Sequence, residues 1–274
     1  MKIITSPVAN LFFWLVAAYV LIGTGPMFFP AAGSTVSVAA LVWKIFGAAV
    51  ALLLTLKFLR HSPGMSVLGL RPGARTIGLL LFGTLAGVVL VGAWAASFRL
   101  FVSFSLTPGS ITLPELLLSL GIYLFGALIE ELAFRGQPFV RLRQRYGTML
   151  AVLLVSLVFG LLHLPGMTGV NAIKIIALTG LGSLLFCLAY LLSGSLWTAV
   201  GLHAGMNFML HTLLGAGGGH GPSLLKPLYS SPPPAIDVGF WCFIVLQLAV
   251  AAVLVLIGQG RSAASPADST TLTP

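Results

Sequence analysis

The sequence predicts an all-α, polytopic transmembrane bundle of about eight spanning helices. Apolar residues make up 58% of the 274 positions and charged ones 7%, and the mean hydropathy is +1.08. A soluble domain carries about 25% charged and about 45–50% apolar residues, so too few ionisable side chains are present to coat a water-facing surface. The apolar residues also fall into stretches of about 20, the length a helix needs to cross a hydrocarbon core about 30 Å thick. The basic residues are distributed unevenly among the connecting segments, which is the third sign of a membrane protein.

Eight stretches qualify: 8–29, 37–59, 76–98, 113–135, 147–164, 172–193, 195–214 and 236–257. Lys2 precedes the run that begins at Leu11 as it would in a secretory signal. That run is long and aromatic, and no small-x-small cleavage site closes it, so it reads as an uncleaved first span. The segment 215–235 contains Gly217-Gly218-Gly219 and Pro232-Pro233-Pro234 and is expected to be an outer loop without regular structure. Residues 1–257 form one transmembrane helical domain on this reading, with a core at about 113–214, and 258–274 form a flexible polar cytoplasmic tail. Gly180, Gly182, Gly201 and Gly205 would allow close helix approach and so help pack the sixth and seventh helices around the site.

With the N-terminus inside, the cytoplasmic segments hold ten bases: Lys2, Lys57, Arg60, Arg71, Arg75, Arg135, Arg141, Arg143, Arg145 and Arg261. The outer segments hold three, Arg99, Lys174 and Lys226, and Lys44 lies within a span. The bias puts both termini in the cytoplasm, and with the compact loops it fits a bacterial inner membrane. It also explains the net charge of +9 and the pI near 10.2 without a nucleic-acid partner. Cys187 and Cys242 sit in apolar segments and read as packing residues. Disordered, coiled-coil and disulfide-scaffold classes are excluded by composition, and no Walker, Rossmann or HExxH motif is present.

An ionisable side chain deep in a bilayer costs at least about 2.5–3.5 kcal/mol, so each one calls for a partner or a function. Glu130 and Glu131 follow the run Leu116 to Ile129, His163 ends the run Leu150 to Leu162, and His203 lies in the seventh span with Asn207 one turn on. His203 and Asn207 stand at i and i+4, as do Phe159 and His163, so each pair shares a helix face. Glu131 and Arg135 have the same spacing and can pair, whereas Glu130 lies about 100° around the helix and points elsewhere. His211, one further step beyond Asn207, reads as interfacial packing or path lining.

Depth is consistent with one site. If the fourth and fifth helices turn near Tyr146 and Gly147, then Glu130 precedes Tyr146 by 16 residues and His163 follows Gly147 by 16. At 1.5 Å per residue both lie about 24 Å from the turn, and His203 lies about 13 Å into its span from the same side. A cytoplasm-facing cavity would then gather all four groups. A carboxylate and an imidazole facing one another can hold and deprotonate water, and a second imidazole with an amide can donate hydrogen bonds to an oxyanion. Those parts describe amide hydrolysis. The same groups, Glu130, His163 and His203, could instead bind a divalent metal such as Zn²⁺ that activates the water, and spacing does not choose between the two.

Glu130-Glu131-Leu132-Ala133-Phe134-Arg135 matches EExxxR, Phe159 to His163 matches FxxxH, and His203 to Asn207 matches HxxxN, in order on successive spans. Over about 113–214 the chain resembles the CPBP family of intramembrane proteases, which includes type II CAAX prenyl endopeptidases and bacteriocin-processing or self-immunity proteins. The resemblance implies that Glu130 and His163 activate water and that His203 and Asn207 stabilise the oxyanion. Glu131 and Arg135 would be an internal ion pair orienting Glu130, with Phe159 supporting. The substrate would be a peptide or protein within membrane lipid, prenylated if the CAAX branch applies. Family members have been described both as metalloproteases and as metal-independent glutamate proteases, so the cofactor stays open. Two other functions compete: a non-catalytic self-immunity or scaffold protein on the same fold, and a proton-coupled carrier with Glu130 and the histidines as its relay.

Overall fold

The computed structural model describes residues 36–59, 68–164, 168–216, 222–229 and 235–264, with a few positions between 9 and 17. The span expected at 8–29 therefore lies almost wholly outside the described residues. The others appear as α1 (Val38–Leu59), α2 (Ala74–Arg99), α3 (Leu113–Arg135), α5 (Thr148–Leu161), α6 (Gly169–Ser193), α7 (Leu196–Asn207) and α8 (Ala235–Ala264). A short amphipathic α4 (Gln137–Tyr146) follows α3. The chain is an all-α polytopic bundle. Among the described residues five stretches are long and apolar enough to cross a membrane: Val38–Lys57, Ala74–Arg99, Leu113–Tyr146, Gly169–Ser193 and Asp237–Gly260. Helix α8 runs past the expected boundary at 257 as far as Ala264.

The helix ends carry recognisable signals. Thr112 donates its backbone N–H to Glu115 Oε2 at 2.8 Å, closing a capping box at the start of α3, and Pro114 occupies its first turn. Gly136 separates α3 from α4, and α4 places Arg141, Arg143 and Arg145 on its way to Tyr146. Helix α6 ends at Gly194, which takes the left-handed conformation with φ 67°. The start of α7 is strapped to the segment before α2: Ser195 Oγ donates to the Gly69 carbonyl at 3.0 Å and Leu196 N to the Leu68 carbonyl at 2.9 Å.

Two site-bearing helices are short. Helix α5 has 14 residues and α7 has 12. They span only about 21 Å and about 18 Å, less than a hydrocarbon core. After Asn207 the chain continues as a π-helical segment, Phe208–Leu213. The wider turn rotates His211 off the face of His203 and Asn207, and its ring stacks on Tyr123 of α3 at 6.0 Å.

The close approach expected at Gly201 and Gly205 is to α2, whose Gly83 and Gly87 face them. A Cβ at Gly201 would lie 2.2 Å from the Leu80 carbonyl oxygen and one at Gly205 2.1 Å from that of Thr84, and Gly83 and Gly87 are equally tight against α7. Two GxxxG pairs thus bring the α2 and α7 backbones into contact. One expectation is corrected: the segment 215–235 is not wholly irregular. Strand β2 (Leu225–Tyr229) pairs antiparallel with β1 (Phe104–Pro108), Phe104 opposite Tyr229 and Pro108 opposite Leu225. A five-residue run containing Pro227 has weak strand preference by itself and forms a strand here because β1 lies alongside.

Candidate active site

Helix α3 turns Glu130 and Glu131 to different surroundings. Glu131 is fully buried, and its Oε1 accepts from Arg135 NH1 at 3.1 Å along the helix and from His203 Nδ1 of α7 at 3.0 Å. Arg135, also fully buried, donates to the Ser183 carbonyl at 2.8 Å and to the Ser183 hydroxyl. Its guanidinium lies over the rings of Phe134, Phe159 and Phe186, 5.0–5.6 Å from their centroids. The expected Glu131–Arg135 pair is therefore present, but its contact is with His203 rather than Glu130.

Glu130 faces a cavity of about 140 Å³, and its side chain keeps 23% exposure. The same cavity is lined by His163, His203, Asn207, Phe159 and Phe186. All four residues expected to be catalytic thus surround one space. His203 is buried, with Nε2 3.8 Å from Glu130 Oε2, and its ring stacks on Phe186 with centroids 4.6 Å apart. His163 lies two residues past the end of α5 on the exposed rim, and Asn207 is half-buried at the C-terminal end of α7.

Hydrogen-bond partners settle which nitrogen of each imidazole carries a proton. His163 Nδ1 is 2.8 Å from the Phe159 carbonyl, which can only accept, so Nδ1–H donates and Nε2 keeps a lone pair for the neutral ring. This is also the physical content of FxxxH: the i−4 carbonyl orients the ring, while the Phe159 side chain packs under it at 4.8 Å. His203 Nδ1 likewise donates to the Glu131 carboxylate, leaving Nε2 toward Glu130. Among the described residues no three His, Cys, Asp or Glu side chains are grouped closely enough to hold a metal ion. As arranged, Glu130, His163 and His203 do not form a ligand set for one.

Residues 112–209 match the family model for the type II CAAX prenyl endopeptidase Rce1-like proteins. The central segment is similar to that family. It begins at the capping box of α3, ends two residues past Asn207, and contains every motif residue named above. The matched family is one of proteases embedded in membranes, in agreement with the apolar helices. No curated protein matches the chain.

The matched segment does not supply the whole cavity. Val91 of α2 and Phe243 and Gln247 of α8 also line it, and the GxxxG face of α2 seats α7 from outside the matched range. Lys44 of α1 attracts Glu130 electrostatically. Its stem passes Gly126, one turn before Glu130, closely enough that a Cβ there would lie 4.0 Å from Lys44 Cδ and Cε. Lys44 was visible in the sequence as a base inside a span, a signal in its own right. Gln247 carried no such flag, because an amide within a hydrophobic helix changes neither charge nor motif.

Proposed function

We propose that the protein is an intramembrane endopeptidase that hydrolyses a peptide bond with a water molecule activated by Glu130 and His163. One observation carries the reading: Glu130, with two acceptor oxygens, and His163, with Nε2 free to accept, line the same cavity. A water between them gives one O–H to each and turns its lone pair toward a carbonyl carbon. Glu130 takes the proton as the oxygen attacks, and passes it to the leaving nitrogen as the C–N bond breaks. When it carries a second proton, His203 donates from Nε2 to the oxyanion, and the Asn207 amide donates beside it. Loss of one such donor typically costs about 10²–10³ in rate.

The water in this mechanism is held by protein groups. A chelator strong enough to strip zinc is therefore expected to leave cleavage intact, and loss of activity that added metal restores would replace this step with a metal-bound one. The cavity opens to the cytoplasm on the orientation that the basic residues favour. CAAX-type C-termini behind a prenylated cysteine are the substrate class to which the family description points.

The test compares peptide termini in host membranes that carry either the wild-type protein or Glu130→Gln at equal abundance. New C-termini found only with the wild type are expected, and their sequences reveal whether a cysteine sits beside the cut. Matching profiles would overturn the protease reading in favour of an immunity or carrier role on this fold.

A further inference from the structure

Gln247 of α8 lines the same cavity as Glu130, His163, His203 and Asn207, yet lies 38 residues beyond the end of the matched segment at 209. It is 1% exposed, and neither Oε1 nor Nε2 has a hydrogen-bond partner among the described residues. A carboxamide has two donor hydrogens and two acceptor lone pairs. Burying them unpaired is costly, and more so in a bundle where water is scarce. A leucine would fill nearly the same volume without that cost. The position gains from an amide only if something entering the cavity brings the missing partners.

The entering group can be identified by chemistry. A peptide lying extended in a dry cavity brings one N–H and one C=O per residue, each needing a partner. The carboxamide of Gln matches both on a single residue: Oε1 accepts the N–H and Nε2 donates to the C=O. We propose that Gln247 binds the backbone of the substrate next to the scissile bond through this pair of hydrogen bonds, which deepens the endopeptidase reading and rests on it. Gln247 carries no titratable proton, so its part is to hold the peptide against the Glu130–His163 water, while acid–base work stays with those two. The cavity lining also includes the apolar Val91, Leu178, Met206 and Phe243, and a hydrogen bond to the backbone reads position along the peptide and not side-chain identity.

The experiment uses the full-length protein in proteoliposomes and the peptide spanning the cut found by the comparison of termini. A series of variants of that peptide replaces one backbone amide at a time by an ester, which removes a single N–H. Wild type is expected to show one ester position near the cut at which KM rises several-fold. Gln247→Leu is expected to raise KM about tenfold or more with kcat changed much less, and to be insensitive to the ester at that same position. Its melting temperature should equal or exceed that of wild type, since an unpaired buried amide has been removed. An unchanged KM in Gln247→Leu, or an ester effect that persists in it, overturns the proposal. So does a wild type indifferent to every ester, a result that needs no variant to fold. If Glu130→Gln also cleaves, the assignment of Glu130 as general base in the proposed function fails; if Glu130→Gln is inert while Gln247→Leu binds normally, only the role of Gln247 fails.

Discussion

Glu130 and Glu131 are adjacent in the chain, and the helix assigns them opposite roles. Glu131 is sealed in the core, its Oε1 shared by Arg135 and His203. Glu130 lies about 100° around the helix on the cavity wall, partly exposed, with His203 Nε2 at 3.8 Å. One imidazole spans the two carboxylates. A carboxylate shut away from the cavity and held by two fixed partners is a brace, whereas one that faces the cavity can take a proton from water. The cavity works because the core beside it holds the His203 ring in one orientation, Nδ1 on Glu131 and Nε2 toward Glu130.

The largest expected effect breaks the comparison on the cavity side. Glu130→Gln keeps shape and removes the base, so cleavage should fall by about 10²–10⁴. Unfolding stability should move by no more than about 1 kcal/mol, since the only close partner lost among the described residues is the long, partly exposed ion pair with His203 Nε2 at 3.8 Å. Single-turnover assays paired with thermal melting in detergent check both halves. A variant that melts early would mean that Glu130 braces the fold as Glu131 does.

The opposite signature belongs to the core. Arg135→Leu leaves the Glu131 carboxylate buried without its main counter-charge, which should cost about 3–5 kcal/mol. That is a large share of the roughly 5–15 kcal/mol that stabilises a typical protein. The measurement is the melting temperature alone, because any loss of cleavage would follow from the loss of structure. A normal melting point for Arg135→Leu would show that His203 suffices as the counter-charge to Glu131, and the two glutamates would then differ less than their surroundings suggest.

How much of this was legible in the sequence follows from the range of each interaction. Spans such as 37–59 and 172–193 were visible because hydrophobicity is a local sum, and they coincide closely with α1 and α6. The Glu131–Arg135 pair and the orientation of His163 were readable because both are i, i+4 relations on one helix. The contact between Glu131 and His203 joins residues 72 apart, so no spacing rule could supply it. The glycines fail in the same way: Gly201 and Gly205 announced a close helix contact, but only packing shows that α2 is the partner. Strand β2 and Gln247 left the weakest traces, the first because its pairing partner lies more than 100 residues away and the second because an amide on an apolar helix has no charge to place.

The smallest expected effect sharpens the boundary between the two regions. Phe186 touches both: its ring stacks on His203 at 4.6 Å, lies 5.4 Å from the Arg135 guanidinium carbon, and lines the cavity. Phe186→Leu keeps an apolar side chain of similar reach and gives up the aromatic face. Aromatic and cation–π contacts of this kind contribute about 0.5–1.5 kcal/mol. If the ring mainly steadies His203, that loss should appear as a fall of a few-fold to about tenfold in kcat, with KM and melting temperature nearly constant. If it mainly shields the Glu131–Arg135 pair, the same free energy should appear as a lower melting temperature with kcat preserved in the folded fraction. Because the two readouts respond to different faces of one ring, their ratio in this variant measures how far the cavity and the buried pair act as a single unit.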